Sequence, residues 1–214
     1  SVLFVHDNWA DQLVPKLKEL AARRSLDDLT IGPVLTWTNS QIQEHIHAVL
    51  DVPGAQLLYG GAPMTGHNIT DCYGAYEPTA ISVPLSEFDS DHFDLVAKEL
   101  FGPFQVIVRY GDDDLDTVLS LLERMSHHLT AAVVSADILF QQRVLGATVN
   151  GTTYCGMRAR TTGAPQNHWF GPSGDPRGAG IGTPEAIQVT WSAHREIIAD
   201  NGPMPEGWTT PPVR

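Results

Sequence analysis

The chain has 214 residues, 42% hydrophobic and 18% charged, a globular profile with enough length to bury a core without staples. Its formal net charge of −12 argues against nucleic acid and anionic membrane surfaces as partners. No apolar run reaches the roughly 20 residues of a bilayer span, and the two cysteines, Cys72 and Cys155, form neither a disulfide framework nor a zinc-ligand spacing. A reducing compartment is therefore the default.

The opening run Ser1-Val2-Leu3-Phe4-Val5-His6 reads as a strand with no leader and no initiator Met, which points to a portion of a longer chain. Asp7 or Asn8 then caps a helix carrying Trp9, Leu13, Leu17 and Leu20 at helical spacing. Asn39 or Ser40 caps a second helix with Ile42, Ile46, Val49 and Leu50 on one face, and Pro53-Gly54 stops it. Residues 55–59 and 79–83 read as strands, separated by a loop rich in Gly, Pro and Asn. In the strand predicted at 104–110, Val106, Ile107 and Val108 are consecutive, the pattern of a sheet covered on both faces. An acid-capped helix at 112–128, a strand at 131–135, a helix from Asp137 through Val144 closed by Gly146, and a strand at 147–150 follow. This alternation makes an α/β layered domain, over residues 1–200, with the 104–110 strand central.

Residues 151–182 break the rhythm: they are Gly- and Pro-rich, yet carry Tyr154, Trp169 and Phe170. Disordered linkers tend to lack aromatics, so the stretch reads as an ordered binding loop. Thr183-Pro184-Glu185 then opens a helix with a cap, a proline in the first turn and an acid. A short strand at 195–199 precedes a Pro-rich tail at 201–214.

Three groups of residues invite a functional reading. Lys98-Glu99-Leu100-Phe101-Gly102-Pro103-Phe104 is, on composition, a turn broken by Gly-Pro. It also holds a carboxylate and an aromatic at the mouth of a sheet, and a carboxylate suits a sugar diol because it accepts two hydroxyl hydrogen bonds at once. The run from Thr161 to Pro172 sets aromatics among backbone amides, a composition that makes anion-binding concavities. The histidines form no metal site in this reading: His45 and His47 face different sides of a helix. His127-His128 sits at a helix end, where His is favourable beside the last carbonyls, and all four read as surface or capping residues. Asp112-Asp113-Asp114 is a solvated helix start and Cys155 a structural thiol.

Together these segments resemble the C-terminal catalytic half of the aldehyde dehydrogenase superfamily. The Glu99-Leu100-Phe101-Gly102-Pro103-Phe104 run is similar to its signature after the catalytic cysteine, and Val149-Asn150-Gly151 and Trp169-Phe170-Gly171 follow in the expected order. Within the superfamily, the stretch from Asn150 through Arg195, including Arg158-Ala159-Arg160-Thr161-Thr162-Gly163-Ala164-Pro165, resembles plant- and alga-type Δ1-pyrroline-5-carboxylate dehydrogenases. Cys155 departs from the small residue expected there.

The resemblance implies NAD-dependent oxidation of L-glutamate γ-semialdehyde, a small-molecule substrate, to glutamate in proline breakdown, in the mitochondrial matrix. A cysteine thiolate would attack the aldehyde, hydride would pass to the nicotinamide, and a glutamate-assisted water would hydrolyse the thioester. By position, Glu99 would bind the nicotinamide ribose and Phe101 would contact the nicotinamide side. Gly163 and Ala164 would present amides to the substrate carboxylate, and Phe170 would wall the aldehyde site. The nucleophile and the Rossmann cofactor domain would precede Ser1, so the chain would hold no catalytic residue and be inactive alone. It would then exist as a homo-oligomer, or bound to the missing half or another protein. The alternative is a truncated, inactive relative acting as a structural or interaction subunit.

Overall fold

The run expected to be covered on both faces is strand β4 (Phe104–Tyr110), with Phe104, Val106, Ile107 and Val108 all buried. It lies inside a four-stranded sheet with β1 (Val2–His6), β3 (Thr79–Ser82) and β2 (Gln56–Tyr59), in the order β1-β4-β3-β2. β1 and β3 both run parallel to β4, in registers that set Val2 against Val106 and Thr79 against Phe104. Only β2 is antiparallel. In this computed structural model the described residues are 1–126, 128, 130–150, 152–160, 195–204 and 206–209. They fall into two compact units, Ser1–Val118 and Leu119–Thr210.

In the first unit, helix α1 (Asp7–Ala21) covers one face of the sheet. Val5, Ala10, Ala80 and Ile107 form the buried cluster there, with Leu13, Val14 and Leu17 packed against it. Trp9 does not join that stripe and is exposed. The cap also differs from expectation: His6 Nδ1 accepts from the Asn8 backbone N–H at 3.3 Å, because the strand runs directly into the helix. Helix α2 (Asn39–Leu50) is capped one residue earlier than expected, by Thr38 with Gln41 in a reciprocal capping box. Past its end Gly54 takes φ +73°, and a Cβ there would meet Pro84, so the Pro-Gly stop has a steric reason. Short helices α3 (Leu85–Phe88) and α4 (Phe93–Ala97) follow β3. Phe88 stacks on Phe4 of β1 at 5.7 Å and on Phe93 at 5.3 Å.

The acidic triplet Asp112–Asp114 forms one 3-10 turn before helix α5 (Leu115–Arg124), shorter than the helix expected over 112–128. His128 is buried with φ +37°, so it is not a surface residue.

The second unit holds its own parallel sheet, β5 (Thr130–Val133), β6 (Thr152–Cys155) and β7 (Glu196–Ala199), in that order. The strand at 130–133 thus belongs to a second sheet rather than extending the first. Between β5 and β6, helix α6 (Ile138–Ala147) starts where expected: Asp137 Oδ1 accepts from Leu139 N at 2.8 Å and Phe140 N at 3.2 Å. The strand expected at 147–150 does not form. Thr148 Oγ1 turns back onto the Val144 carbonyl at 2.9 Å, and pairing with β5 begins only at Thr152. Val133, Leu145 and Cys155 make the core of this unit. Among the described residues no helix is long and apolar enough to cross a membrane.

Candidate functional site

Loop 98–103 joins α4 to β4, and its middle residue decides what its neighbours do. Leu100 is 1% exposed. The Gly102 N–H folds back onto the Leu100 carbonyl at 2.8 Å, and the Thr79 N–H donates to the Pro103 carbonyl at 2.8 Å. A Cβ on Gly102 would meet Val34 at 2.9 Å. With Leu100 drawn into the core and the loop pinned at both ends, Glu99 and Phe101 are left outward: Glu99 is exposed and Phe101 is 72% exposed. The parallel strands β1, β3 and β4 all begin on this side, so the loop stands at their amino ends. Open α/β sheets ordinarily bind ligands at the opposite, carboxyl ends.

Three groups at or around the loop hold it in place. Ser1 enters beside it, its amine within 3.4 Å of the Phe104 carbonyl. The Lys98 Nζ lies 5.1 Å over the ring of Trp37, a cation–π contact that holds the segment ahead of Glu99. Beneath them His45 of α2 is buried, its ring edge-on to Phe104 at 5.3 Å and tilted to Trp37 at 6.2 Å.

His45 was expected at the surface or in a cap, and the structure corrects this. Positions 42, 45, 46 and 49 all lie on the buried stripe of α2, so the i, i+3 spacing from Ile42 was the available signal. Burial is the main cause pushing its imidazole below the ordinary 6.5, with the Lys98 charge adding to it. The folded state therefore resists a proton that the unfolded chain takes up. Stability from this group is fully present above pH 6.5 and falls as the pH drops through and below that value. The melting temperature of a His45→Leu variant is expected to fall less between pH 7.5 and about pH 5.5 than that of the parent, a span set around the histidine range. Parallel acid dependence in the two proteins would show that His45 carries none of it.

Cys155 lies in the core of the second unit, and burial pushes its thiol up while the Arg195 charge opposes. That suits a structural thiol, since nucleophilic cysteines need a depressed value. Cys72 is exposed, 3.0 Å from Thr70 Oγ1. Among the described residues no three His, Cys, Asp or Glu side chains converge to hold a metal ion. Gly163, Ala164 and Phe170 lie outside the described residues, as does the helix expected from residue 183.

With this geometry in place, residues 1–178 match the aldehyde dehydrogenase family model. The chain belongs to the aldehyde dehydrogenase family. It is 60% identical, over 99% of its length, to Delta-1-pyrroline-5-carboxylate dehydrogenase 12A1, mitochondrial, of Arabidopsis thaliana. It shares 60% identity, again over 99% of its length, with a probable aldehyde dehydrogenase of Linum usitatissimum. In both comparisons the aligned part is 39% of the relative, so the chain spans about two fifths of those proteins. Among solved structures, the glyceraldehyde-3-phosphate dehydrogenase GapN of Methanocaldococcus jannaschii, complexed with NADP, superposes with a TM-score of 0.59 at 15% identity. That match covers 76% of this chain and 33% of the other, and at such identity it speaks for the aldehyde dehydrogenase fold alone. Aldehyde dehydrogenases use NAD(P).

Proposed function

We propose that the chain is the rear part of an NAD-dependent dehydrogenase that oxidises L-glutamate γ-semialdehyde to glutamate in proline catabolism, in the mitochondrial matrix. The observation that carries this reading is the 60% identity, over 99% of the chain, to a dehydrogenase named for Δ1-pyrroline-5-carboxylate and as mitochondrial. Residues 1–200 act in it as one catalytic domain.

The loop 98–103 fits a nicotinamide dinucleotide. Glu99 is an exposed carboxylate that accepts from two ribose hydroxyls, and Phe101 offers an exposed apolar face to a flat ring. Bound there, NAD supplies the hydride acceptor. The part of this chain is to hold the ribose through Glu99 and to keep the loop still. Buried Leu100 and the Lys98–Trp37 contact do the second task. The resemblance puts the thiolate nucleophile a few residues ahead of Ser1, and Ser1 lies beside the Glu99 loop. On that reading the thiol-bearing segment would enter beside the loop that holds the ribose, which suits aldehyde oxidation because position supplies most of the rate. Gly163 and Ala164 take the substrate carboxylate in this reading, and Phe170 bounds the aldehyde.

The test is steady-state NADH formation by the full-length protein that contains this segment, with glutamate semialdehyde, succinate semialdehyde and propionaldehyde compared. The reading expects the highest kcat/KM with glutamate semialdehyde. An equal or higher value for either other aldehyde would overturn it.

A further inference from the structure

We infer that Trp37 is a positioning residue for the cofactor: through Lys98 it sets the direction of the Glu99 carboxylate, and so the affinity for the nicotinamide ribose. This inference rests on the proposed function, in which Glu99 takes that ribose.

All the residues concerned lie in the first unit. Segment 34–38, just ahead of α2, is fixed at both ends. At its start the Val34 N–H donates to the Gly74 carbonyl at 2.7 Å, and the Gly74 N–H donates back to the Val34 carbonyl at 2.9 Å. A Cβ on Gly74 would meet the Trp37 carbonyl at 2.7 Å, so only glycine lets that neighbour come so close. At its end Thr38 is locked into the capping box of α2. The Trp37 ring centre lies 6.2 Å from that of His45, and the His45 ring meets Phe104 edge-on at 5.3 Å. His45 and Phe104 are both buried. Trp37 thus has a pinned backbone and a packed core behind its ring.

This segment touches loop 98–103 on both sides of the residues that face the cofactor. Buried Val34 stands against Gly102, where a Cβ would meet it at 2.9 Å. Trp37 takes Lys98, whose Nζ lies 5.1 Å over the ring. Glu99, Leu100 and Phe101 are strung between these two contacts. Lys98 leaves α4 with an extended backbone, φ −59° and ψ 124°, and an extended backbone turns successive side chains to opposite sides. Leu100 accordingly sinks into the core while Glu99 stays outside. One buried side chain sets how deep the loop sits, but not its tilt about that point. The Val34 contact limits tilt in the later half of the loop, and the Lys98–Trp37 contact limits it in the half that carries Glu99. Lys98 is itself exposed, so its hold on the ring is modest in energy. Its value is direction, because a carboxylate must face two ribose hydroxyls at once to accept from both.

The experiment measures Kd by calorimetry on the full-length enzyme, for NAD and for AMP, which lacks the nicotinamide ribose. Trp37→Leu and Lys98→Met each weaken NAD roughly threefold, on the scale of an exposed cation–π contact. The double variant is no weaker than either single one, because the two residues act through one contact. Lys98→Arg keeps a cation on the ring and Trp37→Phe keeps a poorer ring, so both stay nearer the parent. AMP affinity holds within about 1.5-fold in every variant, since that ligand does not reach Glu99. A general loosening of the fold, or a lysine acting on the phosphates by charge, would weaken AMP as well. Glu99→Ala separates this inference from the reading beneath it. That variant weakens NAD about tenfold or more through the lost carboxylate bonds, and adding Trp37→Leu to it changes nothing further. Unchanged NAD affinity in Trp37→Leu, additive losses in the double variant, or a parallel loss of AMP affinity overturns the role of Trp37. Unchanged NAD affinity in Glu99→Ala overturns the proposed ribose contact itself. If Trp37→Leu fails to fold, Trp37→Phe and the two lysine variants decide the matter by the same comparison.

Discussion

Assayed by itself, the 214-residue chain is expected to form no NADH from glutamate semialdehyde. Aldehyde oxidation of this kind needs a thiolate within attacking distance of the carbonyl, with a nicotinamide on the other side. The sequence offers two thiols. Cys155 is 2% exposed, packed with Val133 and Leu145, and held protonated by its burial. Cys72 sits exposed in the loop between β2 and β3, with the Thr70 hydroxyl 3.0 Å from its sulfur. Burial keeps Cys155 from activation, and Cys72 lies in a loop far along the chain from the segment that the resemblance assigns to the nucleophile. Loss of the nucleophile in related thiol or hydroxyl enzymes costs on the order of a million-fold, so the expected result is a baseline reading. The measurement is NADH absorbance with material whose intact mass corresponds to the 214 residues. Turnover that Cys155→Ser abolishes would show that this chain carries its own nucleophile. The same preparation is expected to associate or aggregate, since Trp9, Phe101 and Leu139 are 62%, 72% and 80% exposed and large apolar groups left in water drive association.

In the complete enzyme, replacing Gly163 with valine is expected to hurt glutamate semialdehyde far more than a simple aliphatic aldehyde. A carboxylate held by two backbone amides gains a few kcal/mol from charge-assisted hydrogen bonds. If Gly163 and Ala164 hold the carboxylate as proposed, a branched side chain at position 163 removes most of that, so kcat/KM for the semialdehyde should fall by about a hundredfold or more. Propionaldehyde has no carboxylate and should change by no more than about threefold. The check is the ratio of the two kcat/KM values in parent and variant. Equal losses on both substrates would remove Gly163 from the anchor.

Much of this protein is written in local pattern. The continuous apolar run of β4, the stripe of α1 from Leu13 to Leu17 and the Asp137 cap of α6 each follow from side-chain period and capping chemistry, and each appears as read. Family membership was legible too, because Glu99 through Phe104 is a contiguous string whose order needs no folding to be seen. What stayed hidden depends on partners distant in sequence. The spacing of α2 hints that His45 is buried, but only the tertiary fold shows that Phe104 and Trp37 are set against it. The strand at 152–155 could not be told from the apolar stretch before it, since pairing with β5 decides where a strand begins. The separation of β5 from the first sheet is a choice of neighbours, which composition does not encode. Lastly, the exposure of Glu99 beside Ser1 is set by Leu100 sinking into the core and by parallel pairing of β1 with β4, a contact about a hundred residues apart along the chain. Local preference chooses the elements, and only the packed chain decides which of their ends meet.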